Sequence, residues 1–279
     1  MNQTDHNRQN KIAVINDISG FGRCSIAVAM PIISQLKIQC CPIPTSIFSN
    51  HTGYKSFYFD DYTDHMQNYI DEWKKLDLRF QGILTGFLGS ARQIEIVRKF
   101  IEDFRDSRTK VIIDPVMGDN GKPYPTYTED MCNRMKELVR YADILTPNLT
   151  EACILTDTSY APDSFKTKDY FRIAEKLSKT GAEKIVITGI SMGEYIGNIV
   201  FEKDHPPHVI KQKRVGHERS GTGDVFSAII AADCVHNTDF AVSVRKASGF
   251  VKKCIAVTEG FDIPPTDGVC FEEILHTLK

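Results

Sequence analysis

The sequence predicts an α/β protein built on a mostly parallel sheet, with helices on both faces and a small flap. Three observations lead there. Short β-branched runs alternate with longer amphipathic stretches along nearly the whole chain. The strand-like runs are apolar almost throughout, as strands covered on both sides must be. Each of them stops at polar residues, and open α/β sheets bind ligands beyond the carboxyl ends of their strands.

In chain order, 11–16, 38–45, 82–85, 110–114, 143–145 and 184–188 read as strands. Helical spacing runs through 23–36, 62–76, 91–106, 129–141, 165–179 and 221–237. Between 194 and 215 the pattern becomes two strand-like pieces around Asp204-His205-Pro206-Pro207, which predicts a hairpin. No repeat, low-complexity tract or linker interrupts 11–279, so one domain is expected there, with a disordered stretch at 1–10.

Composition narrows the partners. Lys and Arg number 34 against 36 Asp and Glu, giving a net charge of −2. No basic block stands out, which argues against nucleic acid and anionic membranes. The short basic stretch 211–214 is expected to be a solvated strand edge. The polar start lacks the apolar core of a signal peptide, and no apolar run reaches membrane-spanning length. Eight cysteines lie mostly in apolar segments without a C-x-x-C pair, so reduced thiols in a cytoplasmic protein are expected.

Two nucleotide motifs fail. In Gly20-Phe21-Gly22-Arg23-Cys24-Ser25 a serine replaces the third glycine of the dinucleotide fingerprint, and the next strand supplies no acid for a ribose. Gly121-Lys122 precedes a proline and has no partner glycine, so it is not a Walker A loop. Ser220-Gly221-Thr222-Gly223-Asp224 is more informative, because two glycines let backbone N–H groups converge on an anion at a helix start. An aspartate in that first turn either favours the helix dipole or takes a proton from a hydroxyl while the loop holds a phosphoryl group. In Thr146-Pro147-Asn148-Leu149-Thr150-Glu151, Asn148 and Glu151 fall on one helical face. They form either a capping box or a water-mediated Mg²⁺ site. Asp114 ends its strand before Pro115, and the loop 48–54 is rich in hydrogen-bonding and aromatic groups.

Together these segments resemble the ribokinase-like superfamily, and within it the pyridoxal/pyridoxamine kinases. The resemblance rests on Ser49-Asn50-His51-Thr52-Gly53-Tyr54, Gly86-Phe87-Leu88-Gly89-Ser90, Asp114-Pro115-Val116-Met117-Gly118, the Asn148 motif and the Gly221 motif, in that order. It implies ATP-dependent phosphorylation of a B6 vitamer in a homodimer. Asp224 would be the general base, and Gly221, Thr222 and Gly223 the anion hole. Asp114, Thr146, Asn148, Glu151 and Thr188 would contact ATP, with Asp114 and Glu151 holding Mg²⁺ through water. Asp17, Phe48, His51, Thr52 and Gly53 would line the substrate pocket. The chain departs from many pyridoxal kinases at Asp17, Ile47 and Phe87, where serine, glutamine and tyrosine are common. Asp17-Ile18-Ser19-Gly20-Phe21-Gly22 is also similar to hydroxymethylpyrimidine kinases of thiamine synthesis, the first alternative function. A non-catalytic B6-binding protein is the second. A carboxylate at Asp17 predicts a preference for the amine of pyridoxamine.

Overall fold

Residues 5–279 are described here from a computed structural model. The chain runs β1 (Lys11–Phe21), α1 (Ser25–Gln35), β2 (Gln39–Asn50), β3 (Phe59–Asp61), α2 (Thr63–Lys75), β4 (Gly82–Thr85) and α3 (Ala91–Phe104). It continues with β5 (Lys110–Ile113), the short hairpin β6 (Gly118–Asp119) and β7 (Lys122–Pro123), α4 (Glu129–Leu138), β8 (Ile144–Leu145), α5 (Leu149–Leu155) and α6 (Thr167–Ser178). The last part is β9 (Lys184–Met192), β10 (Tyr195–Glu202), β11 (His208–Lys213), α7 (Thr222–Val235) and α8 (Phe240–Thr258). Nine strands form one sheet in the order β11-β10-β9-β8-β5-β4-β1-β2-β3. The six from β9 to β2 are mutually parallel, and the antiparallel strands lie at the two edges.

Alternation along β1 explains how the sheet is covered. Ala13 and Ile15 pack with α2 to α6 on one face, while Ile12 and Val14 pack with α1, α7 and α8 on the other. Helix α7 is apolar nearly all round, the mark of a helix with no solvent face, and Val225 to Ala232 are buried. The hairpin β10–β11 extends the sheet edge, with Lys211 and Lys213 exposed as the basic stretch predicts; lysines on an edge strand discourage edge-to-edge pairing. The hairpin β6–β7 forms a separate two-stranded sheet.

The structure differs from the sequence reading in several places, among them the unpredicted strands β3, β6 and β7 and the run of β9 past 188. Strand β1 continues past Asn16, through a register shift between Asn16 and Ile18, and β2 follows it to Asn50. The expected loop 48–54 is therefore strand up to residue 50. Helix α8 had no counterpart among the predicted elements. Of the stretch 1–10, residues 1–4 lie outside the described residues. Asn7 is tied down: its side chain donates to the Asp77 carbonyl and accepts from Arg79 N–H.

Candidate active site

The chain leaves β1 toward β2 and β3, then returns to β4 on the other side of β1. Strand order therefore reverses between β1 and β4, and the crevice beyond their carboxyl ends is where a doubly wound sheet binds its ligand. Unpaired hydroxyls collect near those ends. Among the described residues, Ser46 Oγ, Thr85 Oγ1 and Thr146 Oγ1 are buried without a hydrogen-bond partner.

Asp224 enters the crevice from the first turn of α7. Gly221 caps that helix at φ +74°, with its Cα against the β1–α1 corner; a Cβ there would lie 1.8 Å from the Arg23 carbonyl oxygen. Gly223 is exposed and a Cβ on it would meet nothing, so the helix start opens onto free space. Burial, and secondarily the nearby Asp17 charge, push the Asp224 carboxyl up to about 6, against stabilising hydrogen bonds from the Ser25 N–H and the Asn16 amide. That leaves a carboxylate ionised at neutral pH yet basic enough to accept a proton.

Asp114 lies near it, and Glu151 lies near Asp114. Burial, Glu151 and Asp224 together raise Asp114 well above the ordinary carboxylate range. Burial raises Glu151 to about 7. The predicted capping box is present: Asn148 Oδ1 accepts from Glu151 N–H at 2.9 Å, and Glu151 Oε2 accepts from Asn148 N–H at 2.8 Å. Glu151 Oε1 also accepts from Met117 N–H at 3.0 Å, fixing the turn after Asp114. Thr188 lies beside Asn148 in a parallel bridge, its N–H on the Pro147 carbonyl. Asp114, Thr146, Asn148, Glu151 and Thr188 thus gather beyond the ends of β5 and β8, with Thr188 reaching in from the middle of β9.

The expected substrate residues separate into three places. Phe48 is buried among the rings of Phe57, Phe59 and Phe87, at centroid distances of 5.9, 4.8 and 6.0 Å. Together they make an aromatic wall. His51 Nδ1 accepts from Gly53 N–H, so its ring proton sits on Nε2 and is donated to the Thr266 carbonyl at 2.7 Å. His51 therefore serves to hold the loop, while Thr52 and Gly53 are exposed. Asp17 is 5% exposed, and both its carboxylate oxygens already accept serine hydroxyls.

The sequence reading missed the segment 263–268 altogether. Its carbonyls accept from Arg23 N–H, Ser220 N–H, His51, the Tyr54 hydroxyl and the Arg219 guanidinium. Arg219 is also paired with Glu259 at 3.2 Å. No motif marks this segment, because its backbone does the work.

The sequence profile described as phosphomethylpyrimidine kinase matches residues 32–268. The chain belongs to that kinase family. Its fold is ribokinase-like, and membership places it among phosphotransferases. The chain is similar to the pyridoxal kinase of Arabidopsis thaliana, 31% identical over 68% of this chain and 62% of that one. A Bacteroides thetaiotaomicron protein assigned to phosphomethylpyrimidine kinases superposes with a TM-score of 0.93 at 35% identity, covering 97% of this chain and 96% of that one. The crystal form compared contains pyridoxal. Pyridoxal kinase from Lactobacillus plantarum gives a TM-score of 0.89 at 25% identity, with 96% of each chain covered. Among the described residues no helix is long and apolar enough to cross a membrane, and all eight cysteines are free.

Proposed function

We propose that the protein transfers the γ-phosphoryl group of ATP to the hydroxymethyl group of a B6 vitamer: pyridoxamine, pyridoxal or pyridoxine. The observation that carries this reading is the Asp224 carboxylate, raised to about 6, beside a helix start left open at Gly223. Asp224 takes the proton from the substrate hydroxyl as its oxygen attacks the γ-phosphorus. The bond from that phosphorus to the β,γ-bridging oxygen breaks in line, and ADP departs with the electron pair. N–H groups at the start of α7 hold the charge that builds on the transferring group. The Phe48–Phe87 wall receives a flat ring, and the pyridoxal-containing neighbour supports a pyridine as the substrate class.

Asp114 and Glu151 fit a magnesium ion. They are oxygen donors, and their crowding favours a divalent cation. Among the described residues no three His, Cys, Asp or Glu side chains could hold an ion directly, so water must complete the shell. When bound, Mg²⁺ neutralises phosphate charge; the two carboxylates orient its waters. The metal-free protein should consequently lose stability as pH rises. The fold binds protons more tightly than the unfolded chain between about pH 4 and 7, so stability is full below that window and falls through it, by a few kcal/mol in order of magnitude. Melting in chelator at pH 5 and pH 8 should show the loss, and Mg²⁺ at pH 8 should restore part of it. Glu151→Gln keeps a capping-box residue and should flatten both responses. A pH-independent melt would refute the acidic cluster.

A hydroxymethylpyrimidine is the second reading, favoured by the family profile. ADP release with Mg·ATP and each of the three vitamers and hydroxymethylpyrimidine decides between them. The B6 compounds should lead in kcat/KM by roughly tenfold or more. Preference for the pyrimidine would install the second reading. No turnover with any of the four would leave a binding protein.

A further inference from the structure

Asn16 lies at the reversal point between β1 and β4, 5% exposed. Its Oδ1 accepts two backbone N–H groups, from Asp17 at 2.9 Å and Phe87 at 2.8 Å. With the oxygen so engaged the amide can point only one way, and Nδ2 donates to Asp224 Oδ1 at 3.2 Å. Gly86 leaves room for this: a Cβ there would sit 2.3 Å from that nitrogen. Two backbone groups also donate to Asp224, its own N–H and that of Ser25. Ser25 holds φ at +56°, a left-handed conformation that side-chain-bearing residues resist. What holds it is Asp17, whose Oδ1 accepts the Ser25 hydroxyl at 2.6 Å while Oδ2 accepts that of Ser19 at 2.9 Å.

We infer that Asn16 and the Asp17–Ser25 pair are positioning residues that aim the Asp224 carboxylate, and that Asp17 does not read the substrate's amine. This rests on Asp224 being the base. Aim matters to proton transfer and little to ground-state binding, so its loss falls on kcat and spares KM.

The variants Asn16→Asp, Asp17→Ala, Asp17→Asn and Asp224→Asn test it with pyridoxal and pyridoxamine. Asn16→Asp keeps the acceptor for both N–H groups but replaces the donor with a second carboxyl 3.2 Å from Asp224 Oδ1. Besides losing the aim, it should move the acid limb of the kcat profile to higher pH. It should lower kcat roughly tenfold or more, the scale of a hydrogen bond to a charged group, with both KM values within about twofold. Asp17→Ala should do the same. Asp17→Asn can still accept from Ser25 and pair with Ser19, so it should recover most of the turnover lost in Asp17→Ala. The pyridoxamine-to-pyridoxal ratio of kcat/KM should stay at the wild-type value in both Asp17 variants. Wild-type kcat in Asn16→Asp would overturn the inference. So would an asparagine at 17 as damaging as alanine, or a collapse of the amine ratio. If Asp224→Asn itself turns over normally, the base assignment falls, a result distinct from the others. In the Asp224→Asn background, Asp17→Ala should have no further effect.

Discussion

Asp224→Asn should lower kcat at least roughly a hundredfold while leaving KM for both substrates nearly unchanged, since general-base catalysis contributes on that scale. The same variant should be at least as stable as the parent at pH 8. A carboxylate raised to about 6 is a destabilising charge once ionised, and a neutral amide of equal shape removes it. The two effects have opposite sign, which separates a catalytic group from a structural one. Steady-state kinetics and a thermal melt on one preparation measure both. Near-normal turnover would dismiss Asp224 from the role, and a loss confined to KM would make it a binding residue.

The glycines of the same loop should part company. Gly221→Ala places a methyl group 1.8 Å from the Arg23 carbonyl oxygen, at a φ of +74° that alanine resists. Left-handed strain and overpacking together cost about 2–5 kcal/mol, a large share of a marginal stability. Tm should fall by roughly 5–15 °C. Gly223→Ala meets no atom and replaces glycine within a helix, so Tm should hold or rise slightly. Its turnover should nonetheless drop by roughly tenfold or more, because the new methyl group occupies the approach to the N–H groups. A Gly223→Ala enzyme with full activity would move the phosphoryl site elsewhere.

Much of this architecture was legible in the sequence, for identifiable reasons. Strand β4 was placed at its observed limits, because Gly82-Ile83-Leu84-Thr85 is apolar and buried on both faces. The Asn148–Glu151 pair is local, so spacing alone revealed the cap. Helix α8 escaped notice because Val242, Val244, Val251 and Gly249 dilute its helical signal, although Asp239 caps it as an N-terminal aspartate should. The extension of β1 was hidden by residues that ordinarily end strands, Asp17, Ser19 and Gly20. Its pairing with β2 is a tertiary fact. Asn16 was visible as a polar strand end, but its link to Asp224 spans 208 positions and follows from no local pattern.

The segment 263–268 carries a consequence for how such a protein can diversify. One short stretch of backbone holds the loop around His51, the β1–α1 corner at Arg23 and the loop before Gly221. Under the proposed function, a change of substrate taste cannot be made by redrawing one loop alone, because that loop's anchor is also the anchor of the loop before Gly221. A backbone shift at Thr266 or Asp267 acts on both at once, although neither residue belongs to a recognisable motif. An engineer seeking a new acceptor alcohol should randomise this stretch together with 48–54.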